Sequence, residues 1–300
     1  MPIVGGVQPH MQHHVGVIES RRTQMGTRGR IGGVMASIEH VDRSDVARAP
    51  GTAALAARQP WRTVGILALA LLGWLLLVWL VVDMGHPIAQ LTMPGSPDWS
   101  AANLLAIWVM WSVMMAAMML PSALPMILAF VHLAARSAEP RRGYAFVAAY
   151  LAVWLAFSGL ATAAQWAFQA MDWINPMIVS TSRPLTATLL LIAGVYQFSP
   201  LKRVCLASCR TPLAFLLGEW RPGARGAFAM GVRHGLFCLG CCWALMALLF
   251  VGGVMNLAWI AALSIAVAIE KLVPRGELIA TVLGLALIGV GCAKLLALML

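Results

Sequence analysis

Charge is what this chain of 300 residues has least of: 11% are Asp, Glu, Lys or Arg, against about 25% in a soluble domain. Carboxylates are the scarcer sign, 11 against 21 Lys and Arg. None falls in the middle of an apolar stretch, where a proton-driven pump carries its relay acid. The chain also lacks a GxxxxGK[ST] phosphate loop and an HExxH zinc-protease pattern, so neither nucleotide hydrolysis nor that class of metalloprotease is indicated. Within the apolar segments only His132 and His234 occur, both toward the same side, which does not suit a haem held by axial histidines. The opening "MPIVGGVQPHMQHHVGVIES" has no basic start followed by an apolar run, so it is not a cleaved secretory signal and the first apolar segment must do the targeting. No repeat is evident, and no catalytic motif marks the chain as an enzyme.

What the chain has instead is apolar length. Hydrophobic residues make up 61%, and from Arg62 onward uncharged stretches recur that are long enough for a bilayer, which needs about 20 residues each. Seven are expected, at 63–82, 102–133, 144–168, 184–199, 228–251, 255–271 and 278–297. Backbone groups in lipid must be satisfied within the segment, and no barrel-like alternation is present, so these read as helices. The fold class expected is all-α, a polytopic transmembrane bundle of about seven helices. Residues 1–60, rich in Gly, Ala and Arg without a sustained period, read as a disordered basic arm, and 61–300 as the transmembrane metal-binding domain.

A net charge of +10 would suggest nucleic acid in a soluble chain, but here the basic residues sit between apolar segments, where they orient helices. No nucleic-acid partner is expected; the lipid bilayer is. Arg136, Arg141 and Arg142, then Lys202, Arg203, Arg210, Arg221 and Arg225, then Lys271 and Arg275 fall on the same side as the arginine-rich arm if seven segments cross. The positive-inside rule then places the amino terminus in the cytoplasm, with a bacterial inner membrane as the location. The outer loop "VVDMGHPIAQLTMPGSPDW" (81–99), broken by Pro and Gly, is expected to be non-helical.

Sulfur carries the chemistry. On the second segment, Met110, Met114 and Met118 share one helical row and Met115 and Met119 run beside it, because residues three and four apart lie on one face. Pro121 removes an amide donor just beyond and is expected to bend the helix. On the fifth segment, His234, Cys238, Cys241 or Cys242, and Met246 follow at steps of three or four, a continuous nitrogen and sulfur face. Gly231, Gly235 and Gly240 there would let a neighbouring helix approach. Thiolate and thioether donors select Cu(I), with zinc the second candidate for a Cys and His set. Cys205 and Cys209 lie four apart among Lys202, Arg203 and Arg210, a setting that favours thiolates. A bland reading stands beside each: methionine fills irregular cores and free cysteine behaves as a small hydrophobe. Glu270 and Lys271 read most simply as an interfacial pair.

Three stretches taken together, "MMAAMMLP" (114–121), "YQFSPLKRVCLASCRTP" (196–212) and "GLFCLGCCWALM" (235–246), resemble a family of bacterial integral membrane proteins described as predicted metal-binding, a domain of unknown function. The resemblance spans roughly residues 60 to 297 and implies metal binding without an established activity. The expectation is copper handling: Met114, Met115, Met118 and Met119 would supply thioethers, and His234, Cys238, Cys241, Cys242 and Met246 the stronger donors. Cys205 and Cys209 would exchange the ion at the cytosolic surface. A copper chaperone or a membrane cuproenzyme is the expected protein partner. Two other readings remain: a membrane thiol oxidoreductase using Cys238 and Cys241 with Cys205 and Cys209, and a non-catalytic subunit in which sulfur merely packs.

Overall fold

A computed structural model describes residues 57, 60–135 and 141–297. The arm expected over residues 1–60, with His10, His13 and His14, therefore lies outside the described residues apart from its last positions. The described chain is helical: α1 (Pro60–Val82), α2 (Pro87–Thr92), α3 (Ala101–Ala135), α4 (Arg141–Ala170), α5 (Arg183–Tyr196), α6 (Pro200–Arg210), α7 (Pro212–Glu219), α8 (Gly223–Ala247), α9 (Leu249–Gly252), α10 (Leu257–Leu272) and α11 (Gly276–Leu296). Among the described residues the only strand-like feature is a bridge between Ile174 and Ser180.

Helices α1, α3, α4 and α11, with α8 continued through α9, are each long and apolar enough to cross a bilayer, and the α5–α6 pair makes a sixth if counted as one bent span. The architecture is that of a multi-pass membrane protein. The seven straight crossings expected are not all reached by length. The α5 helix has 14 residues and α10 has 16, so at about 1.5 Å per residue α10 rises roughly 24 Å against a hydrocarbon core of about 30 Å. Between α5 and α6 the chain turns by 64°. Proline has no amide to continue the preceding helix, and the Ser199 hydroxyl accepts a hydrogen bond from the Leu201 amide to start a new one at Pro200.

The loop over 81–99 also departs from expectation. It contains α2, because Pro87 presets the first helical turn and the His86 ring nitrogen Nδ1 accepts from the Ile88 amide at 3.3 Å. That capping role engages His86 locally.

Helix α3 is the centre of the bundle: 67% of its most apolar window is buried, against 17% for α1 and 22% for α11. It continues through Pro121 and Pro125 as one helix of 35 residues. Small residues set the packing. A side chain on Gly73 of α1 would meet the Ala117 Cβ at 2.9 Å, so Met119 lies close to level with the middle of the 23-residue α1. Gly231 of α8 is backed by the Phe146 carbonyl and the Ala149 methyl of α4, Gly235 by Val153 of the same helix, and Gly240 by the Cys205 thiol of α6. The α8 glycines are thus occupied by α4 and α6. Their small size admits those helices, not α3.

At one end of the bundle, Arg142 donates to the Arg221 carbonyl and lies 4.5 Å from the Trp220 ring centre, while Arg210 donates to the carbonyls of Val273 and Pro274. These contacts gather the basic connections before α4, before α8 and between α10 and α11 on one side of the fold.

Candidate metal centre

Four of the five methionines in the α3 rows, Met114, Met115, Met118 and Met119, are buried to within 1% exposure, as are Cys238, Cys241, Cys242 and Met246 of α8. Burial alone would suit packing. The convergence of donors is more specific. The Met119 Sδ and Cys242 Sγ atoms approach to 3.9 Å, joining α3 to α8 through sulfur. Cys238, one turn earlier on α8, accepts or donates a hydrogen bond with the Tyr150 hydroxyl of α4 at 3.2 Å. That hydroxyl also lies 3.3 Å from the Met119 carbonyl.

Into the same space comes the side chain of Lys271 from the last turn of α10. Its Nζ stands 3.0 Å from Cys238 Sγ, 3.2 Å from Ser122 Oγ and 3.8 Å from Met119 Sδ. The expected interfacial pairing of Glu270 with Lys271 is therefore wrong. Successive helix positions point about 100° apart, so the two charges leave α10 in different directions. Glu270 faces α5 and α6, where its carboxylate meets Lys202 Nζ at 2.6 Å and accepts from Gln197 Nε2 at 3.1 Å. Lys202, Glu270 and Gln197 are all buried.

His234 is the second feature that ordinary packing does not explain. The residue is 2% exposed, and neither ring nitrogen has a hydrogen-bond partner. Phe146 and Tyr150 stack on its ring at centroid separations of 5.9 and 5.5 Å, with Phe215 at 5.8 Å. Buried polar atoms are normally paired, because removal from water without a compensating bond is costly. An imidazole held by aromatic faces with both nitrogens free retains its capacity to bind a soft cation.

The cysteines of α8 are not one ready-made cage. Cys241 and Cys242 both donate back to the Cys238 carbonyl, at 3.1 and 3.0 Å, as residues three and four along a helix are placed to do. Among the described residues no three His, Cys, Asp or Glu side chains form a metal-holding group. The donors that converge are mixed: the Cys238 thiol and the Met119 thioether lie against the Lys271 ammonium, and the Cys242 thiol lies against Met119. Methionine is what completes the set.

Cys205 and Cys209 are not a detached pair on the cytosolic surface. The 64° turn carries α6 against α8, where Cys205 is buried against Gly240 and the Cys209 thiol faces those of Cys238 and Cys241. Five of the six cysteines thus belong to one neighbourhood, all free, while Cys292 is exposed. A cavity of about 270 Å³ is lined by Gln197, Lys202, Arg203, Glu277 and Thr281, among others.

Sequence reading missed Lys271, Tyr150 and Ser122. A signal for the lysine existed, since adjacent opposite charges in one helical turn cannot both face the same interface. Nothing in the sequence singles out Tyr150 or Ser122, which act only across helices.

The family model PpoB2, described as a copper chaperone, matches residues 108–294. That span holds every sulfur of the cluster, together with Tyr150, His234 and Lys271, and leaves the amino-terminal arm and α1 outside. No curated protein and no solved structure matches the chain.

Proposed function

The chain belongs to the PpoB2 copper chaperone family, and from that premise we propose that it carries Cu(I) within the membrane, holding it between α3 and α8 and passing it to a membrane cuproenzyme. One observation carries the reading: the 3.9 Å approach of Met119 Sδ to Cys242 Sγ, beside Cys238, inside the matched span. Copper here is cargo, so the site must release as well as bind.

The donor chemistry supports this. Thiolate and thioether sulfur are soft donors that favour Cu(I), and Met119 beside Cys242 and Cys238 supplies both kinds. Cys238, Cys242 and Met119 form the first resting place, with His234 one turn before Cys238 and Cys241 next to Cys242. Met114, Met115, Met118 and Met246 continue the sulfur path along α3 and α8. Cys209 and Cys205, brought alongside by α6, are the thiols through which copper passes to or from this resting place. Exchange between such ligands moves the ion stepwise, with no change in its oxidation state.

Orientation follows from charge. The end of the bundle that carries Arg142, Arg210, Arg221 and Arg275 faces the cytoplasm of a bacterial inner membrane under the positive-inside rule, with the amino terminus on the same side.

Elemental analysis of the purified protein beside Cys238→Ser tests the proposal. Copper is expected to co-purify at defined stoichiometry with the wild type and to fall sharply in the variant. Equal copper in both, or none in the wild type under copper-replete growth, would overturn it. Recovery of a mixed disulfide at Cys238 or Cys241 with a partner protein would instead favour thiol exchange.

A further inference from the structure

A buried ammonium at the point where sulfur donors converge needs an explanation. Lys271 is 6% exposed, and the carboxylate next to it in the chain, Glu270, is paired with Lys202. Its neighbours are the Cys238 sulfur, the Ser122 hydroxyl and the Met119 thioether. A charged amine taken out of water is tolerated only when paired and hydrogen-bonded. Here the groups that solvate it are the ones a soft cation would use.

We infer that Lys271 is a resident cation that occupies the sulfur site in the absence of copper and competes with the cargo, so that it sets how readily copper is released. This rests on the reading of the α3–α8 sulfurs as the copper site. Copper entering at Cys238 and Met119 takes the place of the ammonium, which keeps its proton and withdraws toward Ser122. Cu(I) binds the Cys238 sulfur as thiolate and the neutral Met119 thioether, the proton displaced from Cys242 as it joins leaves to solvent, the ammonium stays, and no electron moves. Glu270 makes the arrangement reproducible: its bonds to Lys202 and Gln197 fix the rotation of α10, and the next side chain is thereby aimed at the sulfurs.

The displaced charge stays near. Two unit charges about 4 Å apart repel strongly even at the effective dielectric of a protein surface, so a bound copper ion sits beside a cation that weakens its hold. A carrier with this residue gives up its ion to a receiving thiolate more easily than one without it. A structural anchor would behave otherwise, since removing it would loosen the site.

The test uses full-length protein in lipid nanodiscs, loaded with Cu(I) and challenged with a Cu(I)-selective chelator. Wild type, Lys271→Met, Lys271→Gln, Lys271→Arg and Cys238→Ser are compared for release rate and apparent affinity. Removing the charge is expected to slow release and tighten retention by about tenfold or more in both Lys271→Met and Lys271→Gln. Lys271→Arg, which keeps the charge, should release like wild type. Size-exclusion profiles establish that each variant is folded, and the glutamine variant carries the comparison if the methionine variant is not. Release from the uncharged variants at or above the wild-type rate, with Cys238→Ser still failing to load, would overturn the role of Lys271 and leave the copper site standing. Failure of the wild type itself to load would overturn both.

Discussion

Replacing Glu270 by glutamine removes one charge from a pair that has little access to water. Lys202 Nζ and Glu270 Oε2 are 2.6 Å apart and both side chains are 2% exposed, so the variant leaves an ammonium buried beside a neutral amide. Breaking such a pair by removing one partner costs about 3–5 kcal/mol, because the remaining charge is uncompensated. Gln197, which donates to the other carboxylate oxygen at 3.1 Å, can still donate to the amide oxygen, so that bond, worth about 1 kcal/mol, survives. The loss of stability therefore comes almost wholly from Lys202. Equilibrium unfolding in mixed micelles, followed by the fluorescence of the 12 tryptophans, measures it. The double variant Lys202→Met with Glu270→Leu should recover most of the loss, since replacing both charges by apolar groups is often close to neutral. A single-variant cost below about 1 kcal/mol, or a double variant no better than the single, would refute the reasoning and place the pair in contact with water.

Gly231→Ala drives a methyl group into the Phe146 carbonyl oxygen and to 2.8 Å from the Ala149 Cβ, and because the first of these is backbone, α8 must shift away from α4. Destabilisation of about 1–3 kcal/mol is expected, read as a lower melting temperature, together with reduced copper retention as Cys238 moves with the helix. Gly240→Ala meets the Cys205 Sγ at 2.7 Å, a single side-chain atom rather than backbone. Its stability loss should accordingly be smaller and should be relieved in Gly240→Ala with Cys205→Ala, whereas an unrelieved loss would mean that α6 does not pack there.

The sequence carried the helices and the sulfur rows because both are written in short-range spacing. Runs of apolar residues between Arg62 and Leu296 marked out the elements, and steps of three and four placed Met119 and Cys242 on faces that meet at 3.9 Å. The departures have physical causes. A proline after a capping serine at Ser199 and Pro200 reads as a boundary, but only packing decides that α6 turns by 64° against α8 and brings Cys205 and Cys209 to the cluster. Glycines signal close approach without naming the partner, and α4 and α6 took the places at Gly231, Gly235 and Gly240. Lys271 escaped because a charge at the end of an apolar helix ordinarily anchors in the headgroups. Burial turned it inward.

X-ray absorption at the copper edge on Cu(I)-loaded full-length protein tests the central claim most directly. The account predicts a copper ion with sulfur neighbours, and loss of those neighbours when Met119, Cys238 and Cys242 are replaced together. A spectrum dominated by nitrogen or oxygen neighbours, or one unchanged by that replacement, would contradict it.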